Sequence, residues 1–226
     1  MTEPHNISLM DAISLRRSVR GFTKEAVPSE TINKILTLAQ QSPSNCNVQP
    51  WKVLLANGQS CDELREQLTQ AFTTGKPMTP DFTHTTKFSG DLRDRQVQCA
   101  QALYGAMGIE RSDKAGRMDA SKRNYEFFGA PHVLFIAMQR NFSQTIAVDV
   151  GMYAQTLMLL LAAHGIASCA QASVAYYPQI IRDYFNEPDD SGILFGISFG
   201  YEDEKVQANQ AHTNRADISE VVTIKN

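Results

Sequence analysis

Hydrophobic positions recur at helical spacing near the start of the chain. Ser8 precedes the first apolar stripe, with Asp11 placed as the acid of a capping box, which predicts a helix that runs toward Arg17. Pro28-Ser29 opens a second stripe, which we expect to end before Pro43. Further helices are predicted near residues 64–72, 92–107, 112–127 and 144–164.

Short apolar runs of strand length lie between these helices. They are residues 51–56, 132–138 and 193–198. The run at 132–138 is continuous, as in an interior strand. Helices interleaved with isolated apolar strands predict a layered α+β or α/β fold.

The predicted helix at 144–164 is apolar nearly all round, so both of its faces should be covered. In a chain of this size, that pattern favours burial by a second subunit. Its longest apolar stretch, residues 152–163, is expected to be too short to span a bilayer, which takes about 20 residues.

Two segments lack periodicity. Residues 73–90 are rich in Thr and Pro, and a structureless stretch of that length often covers a functional site. The chain beyond residue 201 reads as extended and weakly structured. A trailing arm of this kind also favours contact with a second subunit.

Composition narrows the classes of function. The 226 residues carry a net charge of −3 and are 42% hydrophobic, which predicts one domain over residues 1–226. Acidic and basic residues are interspersed, so we expect no nucleic-acid and no membrane partner. The four cysteines and five histidines are dispersed without metal-ligand spacing. Residues 1–6 lack the apolar stretch of a secretory signal, which predicts a cytoplasmic protein.

Arg16, Arg17 and Arg20 form a cationic cluster around Ser18, at the predicted end of the first helix. A guanidinium presents a rigid fork of donors, so the cluster suits a phosphate or a planar ligand rich in acceptors. The alternative is that cations at a helix C-terminus merely interact favourably with the helix dipole.

A polar loop between two prolines carries the second chemical signal. Ser44, Asn45, Asn47 and Gln49 offer neutral donors and acceptors. Neutral amides can read the edge of a heteroaromatic ring through paired hydrogen bonds. Because Asn, Ser and Pro are common in turns, an ordinary turn is the alternative.

Together these segments resemble the FMN-dependent nitroreductase family, in particular its nitrobenzoate-reductase-like branch. Three later segments extend the resemblance over most of the chain, in the family's order and spacing. The five blocks are Arg16-Arg17-Ser18-Val19-Arg20, Pro43-Ser44 through Asn47-Val48-Gln49-Pro50-Trp51, Phe127-Phe128-Gly129-Ala130-Pro131, residues 165–172 and Asn214-Arg215-Ala216.

The resemblance implies a three-layer α/β/α sandwich with a mainly antiparallel sheet. It further implies an intertwined homodimer that exchanges C-terminal arms and holds FMN at the subunit interface. The implied reaction is ping-pong hydride transfer through flavin N5, from NADH or NADPH as a transient co-substrate to a nitroaromatic or quinone-like acceptor. Since the flavin performs the difficult step, no catalytic side chain is expected. The chain has no glycine-rich dinucleotide fingerprint after its first strand, so permanently bound NAD is not expected.

The resemblance also assigns roles to single residues. Arg16 and Arg17 match contacts to the phosphate and the ribityl chain. Ser18 and Arg20 match positions toward the pyrimidine edge, where a cation would stabilise the negative charge of the reduced ring. Arg215 matches a late arginine that binds phosphate.

Two further groups match positions nearer the reactive ring. One group lies in the loop that comes to the flavin from the partner subunit, and the other in the segment whose backbone lies beside N5. The loop residues are Ser44, Asn47 and Gln49, and the segment beside N5 consists of Ala170, Gln171 and Ala172. Phe127 and Phe128 are candidates for stacking an aromatic acceptor, with core packing as the alternative.

The chain departs from the family's pattern at two places. Asn45-Cys46 stands where the family often has glycine, and Ala170 stands where proline commonly precedes the glutamine. These departures leave the local backbone and the acceptor preference open. Cys46, in the cofactor loop, is either redox-active or a small apolar residue.

Other functions remain as alternatives. Gly196-Ile197-Ser198-Phe199-Gly200 matches the nucleophile elbow of an α/β-hydrolase, but Asp203 and His212 follow Ser198 too closely for that fold. The glycines are equally typical of close packing at a strand end. A flavin-binding sensor or storage protein without turnover is the second alternative. Within the family, enone reduction and reductive dehalogenation stay open.

Overall fold

The computed structural model describes residues 7–85 and 87–225. Within them, four strands form one antiparallel sheet: β1 (Lys52–Asn57), β2 (His132–Gln139), β3 (Ala167–Gln171) and β4 (Ser191–Gly200). Their order across the sheet is β1-β2-β4-β3, so β1 and β3 form its two edges. The prediction of an antiparallel α+β fold is confirmed.

Eight helices surround the sheet in the described part of the chain. They are α1 (Leu9–Leu15), α2 (Ser29–Ala39), α3 (Gln59–Thr73), α4 (Gly90–Ala106), α5 (Lys114–Lys122), α6 (Gln144–Ala163), α7 (Pro178–Phe185) and α8 (Ile218–Val221). The capping box of α1 is confirmed, because the Asp11 amide donates to Ser8 Oγ at 3.1 Å and the Asp11 carboxylate accepts from the Ser8 amide. The helix predicted at 112–127 is shorter, since α5 ends at Lys122.

The central strand β2 separates two hydrophobic cores. Its side chains alternate between the faces of the sheet, as the pleat requires. Leu134, Ile136 and Met138 join the core formed with α2 and α6. Val133, Phe135 and Ala137 join the core formed with α3 and α7. The result is the expected helix–sheet–helix sandwich.

Helix α6 packs on α1, α2 and the sheet. Its residues Tyr153, Leu157 and Leu161 are buried, whereas Val148 remains 62% exposed on the outer side. By length and apolar composition alone α6 could cross a membrane, which corrects the expectation that its apolar stretch is too short. A buried core helix passes the same test, and α6 belongs to the core.

His132 lies at the start of β2 and is held as a neutral ring. Its Nε2 accepts from the Val27 amide at 2.8 Å, so its Nδ1 carries the proton and donates to Asn57 Oδ1 at 2.6 Å. The ring stacks on Phe199, with 4.9 Å between centroids. Burial lowers the pKa of His132 below its usual range.

Candidate functional site

The arginine cluster follows α1 as an extended segment along the outer edge of β3. The Val19 amide donates to the carbonyl of Ser168 at 3.0 Å, and Ser18 forms a parallel bridge to Ser168. The side chain of Val19 is buried in the core and anchors the segment. Two of the sequence blocks, residues 16–20 and 165–172, are therefore side by side.

Alternate side chains of this segment share one face. The pKa of the Cys169 thiol is raised by burial, and it is lowered by the charges of Arg20 and Arg16 and by a hydrogen bond with Ser18. All three residues thus act on the same thiol, as expected when alternate side chains of an extended segment share a face. Within the described residues, Arg16 has neither a hydrogen-bond partner nor an acidic partner for its guanidinium. This face is cationic and available to a ligand.

The guanidinium of Arg17, also expected to contact the cofactor, is engaged within the chain. Its guanidinium forms an ion pair with Glu202 and donates to the carbonyl of Asn209 at 2.9 Å. A guanidinium already engaged by a carboxylate has little capacity left for a phosphate. The structure favours a role for Arg17 in holding the segment in place.

A cavity of about 320 Å³ opens beside the segment, between the ends of α1 and α6 and the start of β3. Its lining combines apolar side chains with the polar groups of the arginine segment. The lining residues are Leu15, Arg16, Arg17, Val19, Ala162, Gly165, Ile166, Ala167, Ser168 and Glu202.

The donors present fit a flavin phosphate. Arg215 is exposed, and its described hydrogen bonds go only to oxygen atoms of Thr213 and Asn214 rather than to a carboxylate. Arg16 and Arg215 are therefore two cations without a carboxylate partner in the described structure, as a phosphate requires. Within that structure, no group of three His, Cys, Asp or Glu side chains is arranged to hold a metal.

The segment 170–172 ends β3 next to the arginine face. Ala170 and Ala172 are exposed, whereas the side chain of Gln171 is buried. Gln171 Nε2 donates to the carbonyl of Asn124 at 2.7 Å, and its Oε1 accepts from Ser198 Oγ. The side chain of Gln171 is therefore not available to a cofactor, and its two hydrogen bonds hold the end of β3 in place.

The same contact excludes the hydrolase alternative. Ser198 lies in the middle of β4, paired with Val133 on one side and Cys169 on the other, and is 0% exposed. A nucleophile elbow needs an exposed serine on a turn between a strand and a helix. The glycines around Ser198 mark close packing instead, since a Cβ on Gly196 would lie 2.7 Å from a methyl group of Val174.

The cofactor loop at 44–49 lies before β1, at the opposite edge of the sheet. Gln49 donates its amide to Ser44 Oγ at 2.9 Å, and the Asn45 amide donates to Asp149 Oδ2 at 3.1 Å. Cys46 and Asn47 adopt left-handed backbone angles, with φ of +49° and +57°, where the resembling family often has glycine nearby. The loop is thus a tight, anchored turn that leaves Asn47 and Gln49 exposed.

One chain does not bring the two halves of the predicted site together. The arginine face lies at β3 and the 44–49 loop precedes β1, with β2 and β4 between them. At about 4.8 Å per strand, the two edges are roughly 14 Å apart. In one chain, the two groups of predicted cofactor residues therefore lie on opposite edges of the sheet.

Phe127 and Phe128 are buried, which corrects their expected role at the acceptor. They are 0% and 6% exposed and belong to the core on the α3 side of the sheet. Phe127 packs edge-on against Phe135, with 6.0 Å between centroids. This burial favours core packing, the alternative considered above.

The aperiodic segment between α3 and α4 is fixed near the end of β3. The Thr79 amide donates to the carbonyl of Tyr176 at 3.0 Å, in the turn that directly follows residues 170–172. The Asp81 carboxylate pairs with Arg182 at 2.5 Å and accepts from the Ile193 amide at 2.9 Å. The segment thus lies beside the candidate site.

Two polar residues were missed by the sequence analysis. Glu202 and Asn209 both contact the arginine segment, although they follow it by more than 180 residues in the chain. Their sequence surroundings carry no motif, because their role depends on a contact between distant parts of the chain.

Comparison with known proteins agrees with this geometry. Residues 13–201 match the model of the Nitroreductase family. The chain is 39% identical over 206 residues to nitroreductase NfnB of Mycolicibacterium smegmatis, covering 91% of this chain and 87% of the relative. It is 31% identical to 4-nitrobenzoate reductase of Pseudomonas putida, over 90% and 89% of the two chains. The crystal structure of FMN-dependent NfnB from Mycobacterium smegmatis in complex with NADPH superposes with a TM-score of 0.92 at 37% identity, over 96% and 97% of the two chains.

Proposed function

The chain belongs to the nitroreductase family, and on this premise we propose that it is an FMN-dependent oxidoreductase that uses NADH or NADPH to reduce nitroaromatic or quinone-like acceptors. FMN, when bound, supplies the two-electron chemistry, taking hydride from the nicotinamide and passing it to the acceptor. The observation that carries the proposal is the cationic face of residues 16–20, held against β3 beside the exposed residues Ala170 and Ala172.

In this proposal, different residues bind the phosphate and the ring of FMN. Arg16 and Arg215 bind the phosphate, since both cations lack a carboxylate partner in the described structure. Ser18 and Arg20 address the pyrimidine edge of the ring. A fixed guanidinium at Arg20 stabilises negative charge there without rearrangement, which favours electron uptake by the cofactor.

We further propose that the active form is a homodimer. The second half-site, Ser44, Asn47 and Gln49, lies at the opposite edge of the sheet and would reach the flavin of the other copy. The outer sides of α1 and α6 supply a contact surface, because apolar side chains are exposed on both. They are Leu9, Met10, Ile13, Val148 and Met152. The exposed apolar residues of the C-terminal segment fit an arm that packs on the partner.

The acceptor is a small aromatic molecule in this proposal. The relatives named for 4-nitrobenzoate make that compound the first acceptor to test. The segment between α3 and α4, with its turn contact to Tyr176, is placed to contact the acceptor. Dependence on NADH or NADPH agrees with the cytoplasmic location expected from the sequence.

An anaerobic half-reaction experiment tests the proposal. The purified protein is saturated with FMN, its visible spectrum is recorded, and NADH or NADPH is added in separate samples. We expect at least one donor to bleach the flavin absorbance, and 4-nitrobenzoate to restore it. The Arg16→Ala variant, which should retain less flavin, is the matched control for a specific site.

Two results would contradict the proposal in different ways. A protein that keeps FMN but is bleached by neither donor would support the sensor or storage alternative. A colourless protein that does not take up FMN would refute flavin chemistry altogether.

A further inference from the structure

Asn209 contacts the arginine segment from the side opposite β3. It lies in a short 3-10 turn (Gln207–Gln210), is 1% exposed, and is one of few buried polar side chains in the described structure. Its Oδ1 accepts from the Arg20 amide at 2.6 Å, and its Nδ2 donates to the carbonyl of Gly21 at 2.9 Å and that of Asp203 at 3.0 Å.

These hydrogen bonds add to the backbone pairing of the segment, in which the Asp203 amide donates to the carbonyl of Gly21 at 3.0 Å. The Val19 amide pairs with Ser168 of β3, and the next amide, that of Arg20, points to the other edge and pairs with Asn209. Successive amides of an extended segment alternate in this way between its two edges. Among uncharged side chains, a primary amide is suited to the task because it offers a donor and an acceptor together. Asn209 thus satisfies the Arg20 amide, which has no backbone partner among the described hydrogen bonds, next to the pairing of residues 21–23 with residues 201–203.

The local packing supports a specific contact. Gly21 lies so close to Val206 that a Cβ there would come within 2.4 Å of the valine side chain. This close approach brings the turn at 207–210 against the arginine segment. The Asn209 carbonyl also accepts from Arg17, whose guanidinium is paired with Glu202. The turn therefore holds the segment through both the side chain and the backbone of Asn209.

We propose that Asn209 is a positioning residue for cofactor binding, which fixes the backbone of Arg20 and thereby the direction of the Arg20 guanidinium toward the pyrimidine edge of FMN. The proposal rests on the proposed function. Because the turn leads on toward Arg215, Asn209 also links the two parts of the chain that bind the cofactor.

Two variants separate hydrogen bonding from packing. Asn209→Asp keeps the size of the side chain but replaces the donor with a carboxylate oxygen that faces two carbonyls. Asn209→Leu keeps most of the volume and removes all polar contacts. The control is Leu68→Ala, which opens a cavity beside α3 and destabilises the fold without removing any hydrogen bond of the arginine segment.

The primary measurement is the Kd of FMN for the apoprotein, by quenching of flavin fluorescence. We expect both Asn209 variants to raise the Kd about tenfold or more, and Leu68→Ala to leave it within about threefold at a temperature where the variant is folded. The midpoint potential of bound FMN is the second measurement, which a merely structural role would not move. We expect a more negative potential in Asn209→Leu, which adds no charge, and no further change when the substitution is made in an Arg20→Gln background.

The outcomes separate this inference from the proposed function. If the wild-type protein binds FMN and both Asn209 variants have the wild-type Kd and potential, the positioning role is refuted while the proposed function stands. An equal loss of affinity in Leu68→Ala and the Asn209 variants, with an unchanged potential, would likewise refute it in favour of general destabilisation. If the wild type binds no FMN, the proposed function and this inference both fail.

Discussion

The amide of Val19 donates to the carbonyl of Ser168 across 3.0 Å, although the two residues are far apart in the chain. Through this hydrogen bond, the segment after α1 pairs in parallel with the edge strand β3. Because side chains alternate along an extended backbone, Arg16, Ser18 and Arg20 then face the same side. The cationic face of the site follows from this pairing.

Replacing Arg16 or Arg215 with Ala should weaken FMN retention. Each variant removes a cation that we assign to the phosphate, and loss of a charged hydrogen bond costs about 1.5–3 kcal/mol, or roughly 10–100-fold in Kd. Fluorescence titration of the apoprotein measures the change. Lys34→Ala removes an exposed cation from α2 and should have no effect. Full FMN occupancy in both arginine variants would remove these assignments.

Arg17 should contribute to folding more than to binding. Its ion pair with Glu202 is partly buried, so we expect a coupling free energy of about 1 kcal/mol in a double-mutant cycle of Arg17→Ala and Glu202→Ala. Urea unfolding of the apoprotein supplies the four values. The pair Lys122–Glu126, of similar exposure, is the control, with about 0.3–0.5 kcal/mol expected for an i,i+4 pair. A coupling of zero together with a large loss of FMN affinity would restore the role predicted from the sequence.

Stability should fall in mild acid because of His132. Burial lowers the pKa of His132 in the folded protein, whereas the unfolded chain has the ordinary value of about 6.5. Below that pH the unfolded state binds a proton that the folded state does not, so the free energy of unfolding decreases as the pH falls toward the folded pKa. His132→Gln should remove this part of the pH dependence in urea unfolding between pH 5 and pH 8. Parallel curves for the two proteins would contradict the assignment.

Removing the carboxylate of Asp81 should destabilise the protein strongly. Its partner Arg182 is buried, and loss of one member of a buried pair costs about 3–5 kcal/mol because the other charge stays unpaired. We expect Asp81→Ala to lower the free energy of unfolding by that amount in urea. Asp62→Ala, at an exposed carboxylate paired with Arg65, should change it by about 0.5 kcal/mol or less. Equal effects of the two substitutions would argue against a buried ion pair.

A charge on the outer side of α6 should separate the proposed dimer. Val148→Glu would place an unpaired carboxylate in an apolar contact, which weakens association by about 3 kcal/mol or more. Light scattering after size exclusion should show monomers, and FMN should be lost with them because the two half-sites separate. Met118→Glu, at a methionine of comparable exposure on α5, is the control. A stable wild-type monomer that retains FMN would refute the dimer.

The elements that were predicted well depend on local spacing. The capping box of Ser8 and Asp11, the apolar stripe of α2 and the buried strand β2 all appear where the pattern indicated. The strand β3 was missed because Ala167–Gln171 has little intrinsic preference for a strand, and its pairing with β4 overrides that weakness. Helix α7 was missed although Pro178 at its first turn and the pair Ile180 and Ile181 were a usable signal.

The candidate site likewise has features that the sequence predicts and features that depend on tertiary contacts. The sequence by itself determined the chemical groups of the site and the family, because motif residues keep their order and spacing along the chain. Only the tertiary structure decided which side chains are free: Arg17 is engaged by Glu202, Gln171 is turned into the core, and Phe127 is buried. It also revealed Asn209, whose contact with Arg20 spans 189 positions of the chain. Spacing along a chain controls periodicity and turns, whereas the partner of a polar group is selected by the packing of the whole core.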